Sequence, residues 1–486
     1  MRMIGWVDGL DRWQSLPVRQ SYQRPQIVRY CPHSNPVYAI QRYDLIVIGG
    51  GPAGCFAAVQ LCEAIYPTVP HIVILERTAR ILEKVRISGG GRCNVTNGEW
   101  DPKVFAQHYP RGGKELIGPL TRFGSLQMKE WLQQNGVELK TEKDGRVFPV
   151  SNNSQTIIQC IQRMLERFHV EIRVQYPVTK IEKDENGYFL VHGKELLSSR
   201  YLLLSTGSNR LAYHWLSAWG HTIHSPCPSL FTFCIDDARL RGLSGTAVQE
   251  AALHLKIGIQ TGRRSSLTKN DWVQRGPLLI THWGLSGPVV LRLSAWSARQ
   301  LAAVNYKAQL SMDWLPDIPM SEITAILVEK RHSWKTKQIA NVCPFRDKHG
   351  NGRLSKSLWR NIVVQTLQIE TCMWKDLSKS RLHALSLALK SSLFEIQGKG
   401  IFKEEFVTCG GVCRKQVHFD TMESRIVPNL YFAGEILDID GVTGGFNLQA
   451  AWTTGYLCGR NVAERLKASH TENIFENYLP KIDSSE

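Results

Sequence analysis

The hydrophobic pattern that begins at residue 43 predicts a strand, a tight turn, a helix and a second strand in close succession. The segment YDLIVIGG, residues 43–50, is apolar, rich in β-branched residues and closed by glycines, as in a strand buried on both faces. A helix-compatible segment follows the glycines, and HIVILE then predicts a second strand that ends at Glu76. This order is that of a βαβ unit.

Two further strand-to-turn transitions lie far from the first one along the chain. YLLLSTGSNR predicts a strand that ends at Thr206-Gly207, and NLYFAGE predicts another that ends at Gly434-Glu435. A glycine-rich loop at 441–445 then leads into a helix that begins near Asn447. Together with the βαβ unit, these segments predict an α/β fold with a Rossmann-like, glutathione-reductase-like nucleotide-binding domain.

The material between these segments has a different pattern. Short alternating runs from about 228 to 312 predict strands, and three-and-four spacing from about 321 to 390 predicts helices. We therefore expect an inserted unit that is first β-rich and then helical. The predicted boundaries are an N-terminal extension at 1–41, a first nucleotide-binding segment at 42–212, a β-rich insert at 213–318, a helical insert at 319–398, a second nucleotide-binding segment at 399–470 and a tail at 471–486.

Composition narrows the class of protein without selecting a ligand. The 486 residues are 43% hydrophobic and 21% charged, which is typical of a folded globular protein. Twelve cysteines occur without any C-x-x-C spacing, so we expect neither a zinc site nor a disulfide scaffold, and we predict a reducing, cytoplasmic location. The extension at 1–41 leaves import into an organelle as an alternative. The most apolar run, 45–62, contains a Gly-Pro pair and a glutamine, which argues against a membrane span.

The glycine turn has the spacing G-x-G-x-x-G in its expected structural context. Gly49 permits the tight turn, Gly51 lets backbone amides approach a pyrophosphate, and Gly54 lets the helix pack close to the strand. Pro52 and Ala53 open the helix, whose unpaired N–H groups attract phosphate. Glu76 is placed to accept hydrogen bonds from a ribose, with Arg77 beside it. The pattern predicts an adenine dinucleotide.

The number of such turns indicates which dinucleotide is bound. Enzymes that bind both FAD and NAD(P)H in dedicated domains have two fingerprints, and this sequence has one fingerprint that follows a strand. Thr206-Gly207 is similar to a second FAD-contacting turn, and a helix N-terminus after Gly444 and Gly445 would stabilise negative charge on a reduced flavin. We therefore predict one tightly held FAD, with NAD(P)H at most a transient co-substrate.

Several long segments resemble one family of flavoproteins. ILEKVRISGGGRCNVTN, GRVFPVSNNSQTI, THWGLSGPVVL, TCGGV and TMESRIVPNLYFAGEILDIDGVTGGFNLQAAWTTGY are similar, in this order, to the YhiN/BaiN-like FAD-dependent oxidoreductases, also called the aminoacetone oxidase family. The resemblance spans about 43–466. It implies hydride transfer between FAD and a small organic substrate, as amine oxidation or as reduction of an activated C=C bond, with O2 or NAD(P)H as the other partner.

The resemblance also implies which residues lie along the cofactor. It places SGGGRCNVTN, residues 88–97, past the pyrophosphate and along the isoalloxazine, so that side chains at the glycines would collide with it. The cofactor-binding residues predicted beyond the first glycine turn are Lys84, Gly90, Gly91, Arg92, Cys93, Asn94, Thr206, Gly207, Gly434, Glu435, Gly444, Gly445, Phe446 and Asn447.

Two residues are candidates for a part in catalysis. His282 follows a strand-like run in the insert, and an imidazole titrates near neutral pH, which suits proton transfer or substrate orientation. Cys93 lies in the glycine-rich segment, but it has no nearby partner thiol, so a packing role is the alternative. The net charge of +16 also leaves open a tRNA-associated flavoprotein, and a flavin-binding protein without catalysis is the remaining alternative. No nucleic-acid motif is evident, and a small-molecule substrate is the prediction.

Overall fold

The computed structural model describes residues 40–257, 272–346, 352–400 and 407–478. Residues 1–39 of the predicted N-terminal extension and residues 479–486 of the predicted tail lie outside the described residues. Two separate hydrophobic cores organise the described part of the chain. One core contains Phe56 and Trp452, and the other contains Trp314, Trp359 and Trp374.

The first core belongs to a sheet built from both ends of the described chain. The strands of the first segment are β1 (Gln41–Ile48), β2 (Ile72–Leu75), β3 (Thr96–Asn97), β4 (Leu139–Thr141), β5 (Arg146–Pro149), β6 (Glu171–Arg173), β7 (Lys180–Lys183), β8 (Phe189–His192) and β9 (Leu196–Leu204). Its helices are α1 (Pro52–Ile65), α2 (Glu83–Ile87), α3 (Pro102–Ala106), α4 (Gly113–Arg122), α5 (Ser125–Gln134), α6 (Ser154–Arg167) and α7 (Arg210–Ala218).

The inserted unit has its own antiparallel sheet. The strands of the unit are β10 (Ile223–Pro228), which lies outside this sheet, and β11 (Phe233–Cys234), β12 (Ala247–Lys256), β13 (Trp272–Thr281), β14 (Gly284–Ser286), β15 (Ala308–Asp313), β16 (Ser392–Ile396) and β17 (Gly398–Lys399). Its helices are α8 (Pro288–Trp296), α9 (Ala298–Ala303), α10 (Met320–Ser333), α11 (Lys356–Leu367) and α12 (Lys379–Lys390). Strands β11 to β17 pair in the order β16-β15-β12-β13-β14-β11-β17.

The chain then returns to the first sheet through β18 (Thr408–Val412), β19 (Val417–His418), β20 (Glu423–Ser424), β21 (Leu430–Phe432) and α13 (Phe446–Tyr478). The main sheet has the order β19-β20-β21-β9-β1-β2-β6, and its four neighbours β21, β9, β1 and β2 are parallel. The predicted α/β class with a Rossmann-like domain is therefore confirmed. The exact domain boundaries stay a prediction, and β16 and β17 fall at the end of the segment predicted to be helical.

Close packing of α13 on α1 joins the C-terminal segment to the N-terminal one. A Cβ added at Gly455 would lie 2.5 Å from the Ala53 carbonyl oxygen, and one at Gly459 would lie 2.3 Å from that of Ala57. The two helices can approach this closely because glycine has no side chain. The beginning of α13 is thereby held next to the beginning of α1, although almost 400 residues separate them.

The insert is connected to the main sheet by two paired strands. Strand β10 leads into the insert, β18 leads out of it, and the two pair antiparallel with a bulge between His224 and Cys227. The ribbon is extended by the Cys413 N–H, which donates to the Thr222 carbonyl at 2.9 Å. We call β10 and β18 together the hinge ribbon.

Candidate FAD-binding and active site

The first glycine turn is closed on the sheet side and open on the other side. A Cβ added at Gly49 would lie 2.5 Å from the Ser205 carbonyl oxygen, and one at Gly54 would lie 2.4 Å from the Gly49 carbonyl oxygen. At Gly51 the nearest such atom is the Ser205 oxygen at 4.0 Å. This is the division expected when two glycines serve packing and one leaves room for a ligand. Pro52 and Ala53 begin α1, as predicted from the sequence.

Glu76 lies at the carboxyl end of β2 and contacts the same turn. Its Oε2 accepts a hydrogen bond from the Gly50 N–H at 2.8 Å, and its Oε1 accepts one from the Thr78 N–H at 2.7 Å. An ionised carboxylate has further acceptor capacity, which leaves Glu76 able to bind ribose hydroxyls. Arg77, the next residue, is exposed beside it.

The ends of β9 and β21 bring three more predicted residues together. A Cβ added at Gly207 would lie 3.7 Å from Glu435 Oε2, which also accepts a hydrogen bond from Lys84 Nζ at 2.6 Å. The other carboxylate oxygen of Glu435 accepts from the Thr408 N–H at 2.7 Å. Thr206 and Gly434 complete the two turns. Lys84, Gly207 and Glu435 therefore form one cluster beside the first glycine turn.

The segment SGGGRCNVTN presents an open glycine face at the same end of the sheet. Gly90 and Gly91 have φ values of +68° and +83°, and a Cβ added at either would meet nothing within 4 Å. A positive φ favours glycine for backbone reasons alone, and the open space beside both residues leaves room for a ligand. The family resemblance predicts that the isoalloxazine lies in this space.

The same segment is hydrogen-bonded to the loop before α13. Asn97 donates to the Gly444 carbonyl at 2.9 Å. The Asn94 amide, in the orientation that satisfies both of its groups, accepts from the Gly445 N–H at 2.9 Å. Residues 88–97 and the C-terminal glycine loop therefore form one structural unit.

The beginning of α13 is fixed by its own capping contacts. Asn447 Oδ1 accepts from the Gly441 N–H at 2.8 Å, and its Nδ2 donates to the Gly441 carbonyl at 2.8 Å. The Tyr109 hydroxyl donates to the Phe446 carbonyl at 2.6 Å. The positive end of this helix thus lies against the segment that contains the open glycines.

These features fit FAD as the resident cofactor. The carboxyl ends of β2, β1, β9 and β21 carry Glu76, the first glycine turn, Thr206-Gly207 and Glu435, in spatial order. Ligands of open parallel sheets bind at this edge. In addition, the buried hydroxyl of Tyr213 has no hydrogen-bond partner among the residues that the structure describes, and it lies within electrostatic reach of Glu435.

Arg92 and Cys93 differ from the other residues of the glycine segment. The Arg92 guanidinium donates to Asn152 Oδ1 at 2.8 Å, pairs with Glu142 Oε1 at 2.5 Å, and stacks 3.9 Å from the centre of the Phe148 ring. Its charge is therefore compensated within the protein. The Cys93 side chain is fully buried, and burial raises the pKa of its thiol to about 12. Cofactor binding by Arg92 and by Cys93 therefore stays a prediction. For Cys93, burial favours packing over a part in catalysis.

His282 occupies the two-residue turn between β13 and β14. It is exposed, and its ring packs against Trp283 with the ring centres 3.7 Å apart. The Trp283 carbonyl accepts from the Ile235 N–H at 2.9 Å, which ties this turn to the strand after the hinge ribbon. No contact joins His282 to the FAD-site residues named above within the described ranges, so its catalytic role stays a prediction.

His108, which was not predicted as a site residue, lies against the start of α13. Its ring stacks on Phe446 with centres 4.2 Å apart and an interplanar angle of 16°, and its carbonyl accepts from the Val442 N–H. Burial lowers the pKa of His108, and Glu99 opposes that shift. A neutral imidazole beside the flavin end of the site is a candidate for substrate contact. The pattern HYPRGG offered no recognised motif that would have found it.

A buried charge network between the two cores was also missed. Asp438 is fully buried and accepts from His224 Nδ1 at 2.6 Å and from an Arg299 guanidinium nitrogen at 2.6 Å. Arg414 donates to the same carboxylate at 2.9 Å. Burial disfavours the ionised form, but these hydrogen bonds outweigh it and hold the pKa of Asp438 below its ordinary value.

A second buried carboxylate lies next to this network. Asp440 pairs with Arg111 and accepts from the Ser229 hydroxyl at 2.5 Å, while Arg111 also donates to the Ala295 carbonyl at 2.7 Å. Because Ser229 and Ala295 belong to the insert, the pair connects the loop before α13 with the inserted unit. The sequence signal was the pair of acids in DID, directly before the glycine loop.

Neither a membrane-spanning helix nor a metal-binding cluster occurs among the described residues. No helix in those ranges is both long and apolar enough to cross a membrane. No group of three or more histidine, cysteine or acidic side chains in the same ranges is arranged to hold a metal ion.

The fold and the site together define an FAD-binding oxidoreductase of the Rossmann type, and comparison with known proteins gives the family. The model of the HI0933-like protein Rossmann domain matches residues 43–461, so the chain belongs to this family. The chain is thus an FAD-dependent oxidoreductase that transfers a hydride between the flavin and an organic substrate. This confirms the family resemblance seen in the sequence.

Curated relatives cover almost the whole described chain. It is 27% identical over 429 residues, 86% of this chain and 98% of the relative, to the 3-dehydro-bile acid delta(4,6)-reductase of Clostridium scindens. It is 26% identical over 425 residues, 87% of this chain and 98% of the relative, to the ribosomal RNA dihydrouridine synthase of Escherichia coli. Among solved structures, a 3-ketosteroid-delta4-(5alpha)-dehydrogenase of Rhodococcus jostii is similar with a TM-score of 0.45 and 12% identity, covering 87% of this chain and 97% of that one.

Proposed function

We propose that this protein reduces a C=C bond that is conjugated to a carbonyl group, with hydride supplied by reduced FAD. The observation that supports FAD as the hydride donor is the convergence of Glu76, Glu435, the open glycine face and the start of α13 at one edge of the sheet. The names of the curated relatives support this chemistry. A conjugated bile-acid enone and the uracil ring of uridine both contain a C=C bond polarised by a carbonyl.

The protein's own residues have three tasks in this proposal. Glu76 and the first glycine turn bind the ribose and pyrophosphate, and Lys84 with Glu435 orients the ribityl end. The N-terminus of α13 would stabilise negative charge on a reduced flavin. His108, stacked on Phe446, contacts the substrate, and His282 on the insert turn contributes to substrate binding.

The electron donor in this proposal is NADH or NADPH, which binds transiently as a co-substrate. The sequence has one dinucleotide fingerprint, which we assign to FAD, so the pyridine nucleotide would bind without a Rossmann fingerprint of its own. A reducing compartment such as the cytoplasm suits both this donor and the absence of C-x-x-C pairs.

Anaerobic stopped-flow measurement of the flavin absorbance tests the proposal. NADH and NADPH are mixed with the oxidised holoprotein, and conjugated enones are mixed with the reduced one, with the saturated ketone as matched control. We expect a pyridine nucleotide to bleach the flavin and the enone, but not the ketone, to restore its colour. Bleaching by small amines instead would identify an amine oxidase, and no response to any of these would contradict the proposal.

A second candidate is the same reduction on a uracil base within RNA. The net charge of +16 and the exposed Arg77 and Arg80 beside the FAD edge favour it, since phosphate contacts by Lys and Arg carry affinity for nucleic acid. We expect RNA binding to weaken steeply with salt, and Arg80→Gln to reduce it without changing the FAD content. Salt-independent or undetectable binding to ribosomal RNA would exclude this candidate.

A further inference from the structure

Two cysteines face each other across the hinge ribbon. Cys227 on β10 and Cys409 on β18 are directly opposed partners in the antiparallel register. Directly opposed antiparallel residues have Cα atoms roughly 4.5–5.5 Å apart. That separation lies within the roughly 4.4–6.8 Å that a disulfide spans. Both cysteines are reduced in this structure.

The two thiols differ in exposure. Cys409 is fully buried, whereas Cys227 is partly exposed. An oxidant in solution therefore reaches Cys227 first, and Cys409 is positioned behind it. A reactive thiol with a second thiol in contact is the arrangement of redox-responsive cysteine pairs.

The surroundings favour a thiolate on Cys227. A hydrogen bond with Cys409 lowers the pKa of Cys227, burial opposes this, and the guanidinium groups of Arg111 and Arg299 lower it further. The pKa of Cys409 is raised, because its hydrogen bond to Cys227 and its burial both favour the neutral thiol. The pair is thus divided into a nucleophile and a protonated partner.

We propose that Cys227 and Cys409 form a peroxide-responsive dithiol whose oxidation joins the two strands of the hinge ribbon by a disulfide. The Cys227 thiolate attacks hydrogen peroxide, the O–O bond breaks, and with one proton taken up the products are a Cys227 sulfenic acid and water. The Cys409 sulfur then attacks the sulfenic sulfur. The S–S bond forms, the S–O bond breaks, and the hydroxide leaves with the Cys409 proton as a second water.

The disulfide would close a loop that contains the entire insert. The chain enters the insert through β10 and leaves it through β18, so a bond between 227 and 409 fixes both connections at once. The same two strands adjoin the buried network of Asp438, His224 and Arg299. Oxidation would therefore restrain movement of the insert relative to the FAD domain, independently of which substrate the enzyme reduces.

The test uses the full-length holoprotein, reduced, desalted and exposed to hydrogen peroxide under native conditions. After unfolding and alkylation, peptide mass spectrometry follows every cysteine. We expect a Cys227–Cys409 cross-linked peptide that has lost two hydrogen atoms and that dithiothreitol reverses. Both peptides remaining alkylated at peroxide doses that oxidise other cysteines, or Cys227 passing to sulfinic acid without a cross-link, would overturn the proposal.

Single variants separate the two roles. Cys409→Ser should leave a sulfenic acid on Cys227 that a 1,3-diketone captures, and Cys227→Ser should leave Cys409 reduced. Cys413→Ser, which changes a partly exposed cysteine at the end of the same ribbon, is the matched control and should form the cross-link as the wild type does. Equal diketone labelling of Cys413 and Cys227 would show that proximity to the ribbon, rather than the pair, determines reactivity.

Discussion

The edge of the main sheet and the turn at His282 in the insert differ in how strongly the sequence determines them. At the sheet edge, Gly49 and Gly54 are required because any side chain would collide with backbone atoms 2.5 Å or less away. At the insert turn, His282 is exposed, and its position imposes no comparable constraint on the residue type. Function that depends on backbone geometry leaves a readable motif, whereas function that depends on one side chain does not.

The glycine segment 88–97 lies between these two extremes. Gly90 and Gly91 have positive φ values that favour glycine, and the open space beside them leaves room for the predicted cofactor. Arg92 and Cys93, their neighbours in sequence, are instead engaged by the protein itself. Within this one segment, then, the two glycines leave room for a cofactor, whereas Arg92 and Cys93 contribute to the local packing.

The largest expected effect comes from a side chain at the closed part of the first glycine turn. In Gly54→Val, new atoms would lie within 2.4 Å of the Gly49 carbonyl, and overpacking of this kind costs about 3 kcal/mol. We expect the purified variant to lack FAD and to have a lower urea midpoint. Gly118→Ala, where an added Cβ meets nothing within 4 Å, is the control and should keep both properties unchanged or improved.

A comparable loss of stability, without loss of FAD, is expected where the two cores meet. Asp438→Asn leaves Arg299, Arg414 and His224 without their buried counter-charge, and breaking such a network costs about 3 kcal/mol. The folded-state pKa of Asp438 lies below the ordinary 3.8, so its stabilising contribution is complete above that pH and is lost as the pH falls through the lower value. Urea unfolding should show a wild-type advantage at pH 7 that shrinks below about pH 4. An advantage that grows on acidification would contradict the assignment.

A smaller effect on stability is expected at two glycines with positive φ, and comparing them separates contact with the cofactor from the backbone's preference for glycine. Gly90→Ala and Gly136→Ala both place a side chain at a positive φ, +68° and +78°, with nothing within 4 Å in the protein. Each should lower the free energy of unfolding of the apoprotein by about 1 kcal/mol. Only Gly90→Ala should also weaken FAD binding, by roughly tenfold or more, which is about 1.4 kcal/mol. Equal FAD affinities in a fluorescence titration would show that the open face is not a cofactor surface.

His282 should have a still smaller influence, through substrate binding. Because it is exposed and lies at a turn, we expect His282→Gln to raise KM by a few-fold with kcat nearly unchanged, whereas loss of a general acid lowers kcat by about 10²-fold or more. Steady-state kinetics with the enone distinguish the two outcomes. His332→Gln, an exposed histidine at the end of α10, serves as the control.

The smallest effect on activity is expected at Cys93. Its thiol is buried with a pKa of about 12, so it carries almost no thiolate at neutral pH. Cys93→Ala should keep the turnover rate and lower the free energy of unfolding by about 1 kcal/mol through lost packing. A variant that is fully folded and flavin-loaded but inactive would restore the catalytic role.

Much of the fold and of the cofactor edge could be predicted because strand patterns and glycine positions are local signals. The ends of β1, β9 and β21 were all located from apolar runs that stop at glycine. The contacts of Asp438 with Arg299 and of His108 with Phe446 could not be predicted, since they join residues more than a hundred positions apart through tertiary packing. The pairing of Cys227 with Cys409 could not be predicted either, because it depends on the register of two strands that are distant in the sequence.

The most direct test of the central claim is a titration of the apoprotein with FAD, followed by the visible spectrum and by flavin fluorescence. If the first glycine turn and the segment from Glu435 to α13 bind the same cofactor, we expect saturation at one FAD per polypeptide. The protein should then be yellow and retain its colour through gel filtration. A protein that stays colourless after unfolding and refolding with excess FAD would contradict the account.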